Sequence, residues 1–458
     1  MKITKFGGSS LASAQQFRKV FDIIKSDRDR KVVVVSAPGK RFSSDTKITD
    51  NLITLAKEVQ TGQDIEKTLA VIKERYVGII EDLGLKQEIK NQLEDNLKKM
   101  ITASYSSNNQ LLNTFKASGE DNNAQLVAAY FNENGLPAKY VSPEEAGLLV
   151  SAQDGHTRVL SETYANLERL TEVNECIIFP GFFGVSKENQ RVTFSRGGSD
   201  ITGAILAKGL KADLYENFTD VDAIFAANPQ IVDQPQKINH LTYQEMRELS
   251  YAGFSVLHHE ALRPAIMADI PIRVKNTNKP ELPGTLISKT RSENNYHITG
   301  IASSRGFMSI SIAKYLMNEE VGFGAKALNI MAEHNLSVEH VPTGIDEITL
   351  ILRADQFKNE ADEKELLQEL QEKLNADKVY EEKELALLMI VGEGMISTVG
   401  TAAKAMASLA KAGINLKMID QGSSEISMLF GIAASDENSA IAALYESFFK
   451  SKIPVEEK

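Results

Sequence analysis

The last third of the chain repeats itself, and that repeat limits the folds open to it. Val321-Gly322 recurs 78 positions on as Val399-Gly400. Gly344 and Gly422 keep the same separation. So do Glu347-Ile348 and Glu425-Ile426, Leu336 and Ile414, and Val338 and Leu416. One offset without gaps indicates two copies of a single supersecondary unit. Each copy reads as strand, glycine-containing turn, helix, strand, short turn, strand. In the first copy these fall at roughly 307–316, 324–334, 336–341 and 347–353. Leu366, Leu367, Leu370 and Leu374 add an amphipathic helix. Two βαββα copies make a compact module, because a solenoid needs about three or more repeats.

The preceding segment alternates short apolar runs with helical patterns. Ile3 to Phe6 reads as a strand broken by Gly7-Gly8-Ser9-Ser10. Phe17, Val20, Phe21 and Ile24 then recur at helical spacing, and Ser13 with Gln16 has the spacing of a capping box. Val32 to Val35 is a β-branched run suited to a strand buried on both faces. Ile177–Phe179, Arg191–Phe194, Leu214–Phe218 and Ile272–Val274 are further strand candidates. The alternation implies an α/β fold with a mainly parallel sheet. Pro280, Pro283 and Gly284 mark its end. The expected division is therefore 1–290 for the α/β domain, 300–380 for the first repeat domain, open to completion by the C-terminal strand, and 381–458 for the second.

Composition excludes several classes. A net charge of −11 gives no general electrostatic help towards nucleic acid or an anionic membrane. An anionic substrate needs a local cluster of cations instead. Cys176 is the only cysteine, so no intrachain disulfide forms, and the expectation is a reducing, cytoplasmic setting. Met1 to Phe6 lacks the apolar run of a signal peptide, and no stretch approaches the ~18 apolar residues of a membrane span.

Four loops can carry chemistry. The strand ending at Lys5-Phe6 meets Gly7-Gly8-Ser9-Ser10, where glycines permit close backbone approach and the next helix offers free N–H groups to a phosphate. Lys5 adds a charge at the edge where ligands bind in open α/β sheets. The second loop is Ser195-Arg196-Gly197-Gly198-Ser199-Asp200, ahead of a helix over Ile201–Lys208. Arg196 suits a carboxylate bidentately. Asp200 either caps the helix, as Ser199 also could, or orients a lysine or a substrate ammonium. In Ser118-Gly119-Glu120-Asp121, Glu120 suits an amino group, or Ser118 caps a helix start. Thr219-Asp220-Val221-Asp222 follows a strand, as nucleotide or metal contacts often do, or is a simple turn. The seven histidines show no zinc spacing and there is no G-x-S-x-G elbow, so zinc and hydrolase chemistry lack support.

Together these segments resemble the aspartate kinases of the amino-acid kinase superfamily. Val256-Leu257-His258 and Pro283-Gly284-Thr285 are also similar to that family's pieces, in its order. The terminal repeat resembles its paired ACT domains. The resemblance implies an amino-acid kinase sheet of sandwiched type followed by two ferredoxin-like ACT domains. It implies ATP-dependent phosphorylation of the side-chain carboxylate of L-aspartate, with Mg²⁺, on the way to lysine, threonine and methionine. Lys5 and Asp200 would be catalytic. Ser36, Thr49, Glu120, Arg196 and Ser199 would hold aspartate, with Arg196 on its α-carboxylate and Glu120 on its ammonium. Lys5, Gly7, Gly8, Ser9, Thr219, Asp220 and Phe225 would meet ATP. Ala223, Gln230, Ser255 and His259 depart from the family's pattern, and Lys275 is a candidate to replace a missing cation. Feedback by lysine and/or threonine would use Gly322, Phe323, Gly324, Val338, Pro342, Thr343 and Asp346. Those glycines and apolar positions also suit tight helix entry and plain packing. A homodimer or higher homo-oligomer joined through the repeats is expected. Competing readings are a glutamate 5-kinase or acetylglutamate kinase, and a non-catalytic amino-acid sensor.

Overall fold

A computed structural model of the chain describes residues 1–153, 156–195, 197–254, 256–257, 259–291, 297–396 and 398–450. The chain forms two compact units. The first comprises Met1–Ile224, Lys237–Arg247 and Ser255–Arg291; the second comprises Phe225–Gln236, Glu248–Phe254 and Ser292–Lys458.

The first unit is built on an eight-stranded sheet. Its strands are β1 (Lys2–Phe6), β2 (Arg30–Val35), β3 (Ala138–Tyr140), β4 (Cys176–Pro180), β5 (Leu214–Thr219), β6 (His240–Thr242), β7 (Ile272–Asn276) and β8 (Thr285–Ser288), in the spatial order β6-β8-β7-β5-β1-β2-β4-β3. Every neighbouring pair is parallel except β7 with β8. Val32 to Val35 are fully buried, as a central parallel strand covered on both faces requires. Arg191–Thr193 is not a strand of this sheet; it pairs with Phe183–Val185 in a separate hairpin.

Helices cover the sheet. Those used below are α1 (Ala14–Lys25), α2 (Ile48–Thr61), α3 (Glu66–Leu83), α4 (Gln87–Thr102), α5 (Asn108–Glu133) and α6 (Gly198–Gly209). The apolar stripe of α1, Phe17, Val20, Phe21 and Ile24, is buried as its spacing predicts. The capping box does not form: the Ser13 side chain caps nothing, and its backbone carbonyl takes the Gln16 N–H. α5 behaves differently from an ordinary surface helix. Ser118 to Asn123, all polar apart from Gly119, are buried mid-helix.

In the second unit the two repeat copies share one five-stranded sheet. Its strands are β9 (Gly300–Ala313), β10 (Glu347–Arg353), β11 (Lys378–Val391), β12 (Met418–Asp420) and β13 (Ser427–Ala433), in the order β10-β9-β11-β13-β12. β9 and β11 pair antiparallel along their length, with register shifts between Arg305 and Ser309. Beyond that shift Phe307–Ala313 pairs with β10, while Leu385–Val391 pairs with β13, and Ala386–Val391 pairs with Gly300–Arg305. The offset of 78 holds for the helices Phe323–Glu333 and Thr401–Lys411, which both begin after a glycine in the left-handed region, Gly322 at φ 81° and Gly400 at φ 94°. The closing strand is displaced by two more residues, since Glu347 and Ser427 begin it. The expected strand over 336–341 is absent; the described residues there carry a single bridge, His340 to Ile351.

Candidate active site

β5, β1, β2 and β4 lie side by side, so their C-terminal ends form one edge. In an open α/β sheet that edge is where ligands bind. The chain leaves it as Thr219-Asp220 from β5, Gly7 to Ser10 from β1, Ser36 to Gly39 from β2 and Gly181-Phe182 from β4.

Register decides which side chains meet there. Lys5 is level with Asn217 on β5, so both point to the same face. α6 covers that face and brings Asp200. Lys5 Nζ lies 2.6 Å from Asp200 Oδ1 and 3.4 Å from Asn217 Oδ1, and Asn217 Nδ2 donates to Asp200 Oδ1 at 2.8 Å. Both charged side chains are largely buried. Neither Asp200 nor Ser199 caps α6; the residue before the helix is Gly197, at φ 72°, with no side-chain cap. Asp200 is therefore committed to the lysine. Ser199 is buried in the first turn of the same helix.

The glycine corner after β1 sits above that pair. A Cβ on Gly7 would lie 3.6 Å from Lys5 Nζ. Gly8 is pressed against the loop after β2: Gly39 N–H donates to Gly8 O at 2.9 Å, and a Cβ on Gly39 would come 2.5 Å from the Gly8 carbonyl carbon. No side chain fits between the two loops. Arg75 of α3 holds the second loop from behind, donating to Gly39 O at 2.8 Å and to Asp45 at 2.6 Å. The Arg41 guanidinium then hydrogen-bonds Asp45, which holds that carboxyl well below its usual range.

Glu120 approaches the same edge from α5. It is buried, its Oε2 has no partner, and burial pushes its carboxyl up to about 8 despite a hydrogen bond from the Ala37 backbone. Asn123, one turn on, donates to Ser36 O at 2.6 Å. Gly119 lets the helix come close, since a Cβ there would meet Ala37 Cβ at 2.9 Å. Ser36 is half-buried at the end of β2, and Thr49 is half-buried at the second residue of α2. Ser118 does not cap a helix start, because α5 begins ten residues earlier; its hydroxyl donates to Phe115 O.

Thr219 and Asp220 are joined by a hydrogen bond, and Thr277 N–H donates to Thr219 O at 2.9 Å. Asp222 accepts from Asn276 at 2.7 Å, and its carboxyl is pulled down to about 2 by Asn276, then by Lys279 and Lys237. Phe225 belongs to the second unit. Lys275 is not brought to Lys5. It is level with Phe218, one position beyond Asn217, so it points to the opposite face, where its ammonium lies 5.9 Å from the Phe218 ring. Arg196, Ser255 and His258 lie outside the described residues.

Sequence reasoning missed Asn217, Asn123, Lys237 and Lys279. Asn217 had a signal: an amide in an otherwise buried strand, at the parity of Lys5. The lysines had none, because Lys237 and Lys279 reach Asp222 from distant parts of the chain.

In the second unit, Gly322 and Phe323 open their helix beside Lys314, whose ammonium lies 5.4 Å from the Phe323 ring. Asp346 accepts from Leu316 N–H at 2.8 Å, and its carbonyl accepts from Lys314 N–H. Gly324 sits near Ile348. Pro342 O accepts from Thr349 N–H, Thr343 bridges to Ile348, and Val338 packs against the core of the first copy. Gly322, Phe323 and Asp346 thus border the segment 314–322, while Val338 is turned inward.

The chain has relatives of the same layout. The model of the amino acid kinase family matches residues 1–276, and an ACT domain model matches 388–448. Aspartokinase 3 of Bacillus subtilis is 53% identical, over 98% of this chain and 99% of its own length. The crystal structure of Clostridium acetobutylicum aspartate kinase superposes with a TM-score of 0.86 at 38% identity, covering 98% of this chain and all of that one. Escherichia coli aspartokinase III in complex with lysine and aspartate gives a TM-score of 0.75 at 26% identity, over 98% and 99% of the two chains. With the buried Lys5–Asp200 pair set at the ligand edge of such a sheet, the chain belongs to the aspartokinases of the amino acid kinase family.

Proposed function

We propose that this enzyme transfers the γ-phosphoryl group of ATP to the side-chain carboxylate of L-aspartate, giving 4-phospho-L-aspartate and ADP. The observation that carries this is the Lys5 ammonium, fixed by Asp200 and Asn217 directly beneath the Gly7-Gly8 corner. A carboxylate titrates near ~4, so it is already ionised and needs no general base. The barrier is the approach of one anion to another. Positioning and preorganised positive charge must lower it. Lys5 supplies that charge without reorganising, because its partners already hold it. One aspartate oxygen forms the new bond to phosphorus as the bond to the β–γ bridging oxygen breaks, and ADP leaves with that electron pair.

Glu120 takes the α-ammonium of aspartate, and its vacant Oε2 is the acceptor. Arg196 takes the α-carboxylate, with Ser36, Thr49 and Ser199 around it. Gly7, Gly8 and Ser9 present backbone N–H groups to the phosphates, with Thr219 and Asp220 on the nucleotide side. Mg²⁺ bound with the triphosphate would screen its charge, and Asp220 at the end of β5 is the carboxylate that would lie beside it. Among the described residues no three His, Cys, Asp or Glu side chains gather to hold a metal ion. A free amino group on the substrate follows from Glu120, which offers nothing to an N-acylated acid.

The repeats bind an end-product amino acid beside Gly322, Phe323 and Asp346. The Escherichia coli relative was crystallised with lysine, which supports lysine as the effector here. Exposed Tyr315, Val321 and Ile345 support a homodimer joined through this unit. No described helix is long and apolar enough to cross a membrane, and the single cysteine supports a cytoplasmic enzyme.

The test is an ATP-dependent assay that traps acyl phosphate with hydroxylamine, run on aspartate, glutamate and N-acetylglutamate, each with and without lysine and threonine. Hydroxamate formed from aspartate alone supports the reading. Equal or greater yield from glutamate or N-acetylglutamate overturns it.

A further inference from the structure

α5 carries two carboxylates in succession, and only Glu120 has a role in the chemistry above. Its neighbour Asp121 is also buried. Arg191 Nη2 donates to Asp121 Oδ2 at 2.8 Å, and the Tyr140 hydroxyl donates to Oδ1. Arg191 Nε donates to Glu144 Oε1 at 2.8 Å, on the short helix Pro143–Ala146. The guanidinium lies 4.9 Å from the centre of the Phe183 ring. One cation is thus fixed by two carboxylates and an aromatic face.

Arg191 begins the second strand of the Phe183–Val185/Arg191–Thr193 hairpin. Two residues on, Thr193 Oγ1 donates to Asn113 Oδ1 of α5 at 2.9 Å. The hairpin is therefore fastened to α5 at two levels, Asn113 and Asp121. It continues through Phe194, whose N–H donates to Phe182 O at 2.8 Å, shortly before α6 begins at Gly198 with Ser199 and Asp200 in its first turn. One end of this strut is a residue away from Glu120. The other leads to the first turn of α6, which bears Ser199 and Asp200. A guanidinium fork is planar and directional, so it fixes orientation as well as distance.

We propose that Arg191, acting through Asp121, is a positioning residue that sets the separation between Glu120 and the start of α6, where Ser199 and Asp200 lie, and with it the affinity for the amino-acid substrate. This rests on Glu120 holding the substrate ammonium. Arg191 touches neither reactant. Its loss lets α5 and the start of α6 drift apart, and misplacement of a positioning group by about 1 Å costs up to about a hundredfold. ATP binds along β1 and β5 and is spared.

The experiment compares Arg191→Met, Arg191→Lys, Asp121→Asn, the double Asp121→Asn/Arg191→Met and, in parallel, Glu120→Gln, in the full-length enzyme. KM for aspartate, KM for ATP, kcat and Tm are measured for each. The expected result is at least about a tenfold rise in aspartate KM for Arg191→Met and Asp121→Asn, with ATP KM and kcat within about threefold. Arg191→Lys recovers part of the loss. The double variant is no worse than the worse single, because both act along one path. Unchanged aspartate KM in the Arg191 and Asp121 variants, with a raised value in Glu120→Gln, overturns the positioning role alone. A parallel fall in Tm, kcat and both affinities also overturns it, by making Arg191 a general structural prop. Unchanged aspartate KM in Glu120→Gln instead overturns the reading of the site beneath it. Arg191→Lys and Asp121→Asn keep the test open if Arg191→Met does not fold.

Discussion

At the ligand edge of the first unit the residues out of place are polar and inside; at the two glycine turns of the second they are apolar and outside. Lys5, Asp200, Asn217, Glu120 and Asn123 are buried or nearly so at the ligand edge of the parallel sheet. In the repeats, Val321 and Val399 occupy corresponding positions and are 95% and 99% exposed. Each arrangement costs folding free energy, since burying polar groups and wetting apolar ones are both unfavourable. The first is repaid when a charged substrate meets preorganised partners, and the second when another surface covers the valines. The comparison teaches that a catalytic edge and a proposed assembly surface leave opposite imprints on one chain.

The contrast breaks most sharply at Asp200. Asp200→Ala frees the Lys5 ammonium and is expected to lower kcat by about a thousandfold while Tm stays within a few degrees. A loss of only a few fold would return Asp200 to a structural role. Next comes Glu120. Glu120→Gln should raise aspartate KM by about a hundredfold, because a charge-assisted contact is lost. Wild-type aspartate affinity should also rise with pH. The free carboxyl titrates at about 8, so below that an incoming ammonium must displace its proton; the variant should show no such slope between pH 6 and 8. Stability moves the other way. The folded carboxyl titrates above its ordinary 4.5, so its stabilising contribution is complete below 4.5 and lost as pH rises through 8. Glu120→Gln should therefore melt higher than wild type at pH 9 while binding aspartate worse. A smaller effect is expected of Gly39→Ala, which drives a Cβ into the Gly8 backbone: a loss of about 1–3 kcal/mol in stability by urea unfolding, with a higher ATP KM. The least change in the isolated chain should come from Val321→Asp, whose side chain touches little. Its unfolding midpoint should match wild type while the proposed dimer weakens in analytical ultracentrifugation.

Much of the first unit was legible because parallel strands announce themselves. Val32 to Val35 reads as a buried strand and is one, and Leu214 to Phe218 reads as a strand and lies within β5. The two Gly-Gly-Ser corners also stood out, and β1 and α6 bring Lys5 and Asp200 into contact. Local capping logic failed where tertiary contacts claimed the same side chains. Asp200 turns to Lys5 instead of capping α6, and Ser118 lies deep in a helix that starts at Asn108. Arg191 read as sheet because its strand is short and β-branched, yet Asp121 and Glu144 hold it in a hairpin. Lys275 shows the limit of residue type without parity, since a single step along β7 moves it across the sheet. In the repeats the offset located the helices, but an extra two residues before Ser427 are invisible to gapless matching. Nothing in the sequence assigned 225–236 and 248–254 to the second unit, because membership of a compact unit depends on contacts far apart in the chain.

The central claim is that one buried ammonium makes the meeting of two anions possible. The direct measurement is the single-turnover rate of acyl-phosphate formation by Lys5→Met at saturating ATP and aspartate, with equilibrium dialysis confirming that both still bind. The account predicts bound reactants and a rate lower by about a thousandfold or more. A rate within tenfold of wild type, from a folded and fully loaded variant, would contradict it.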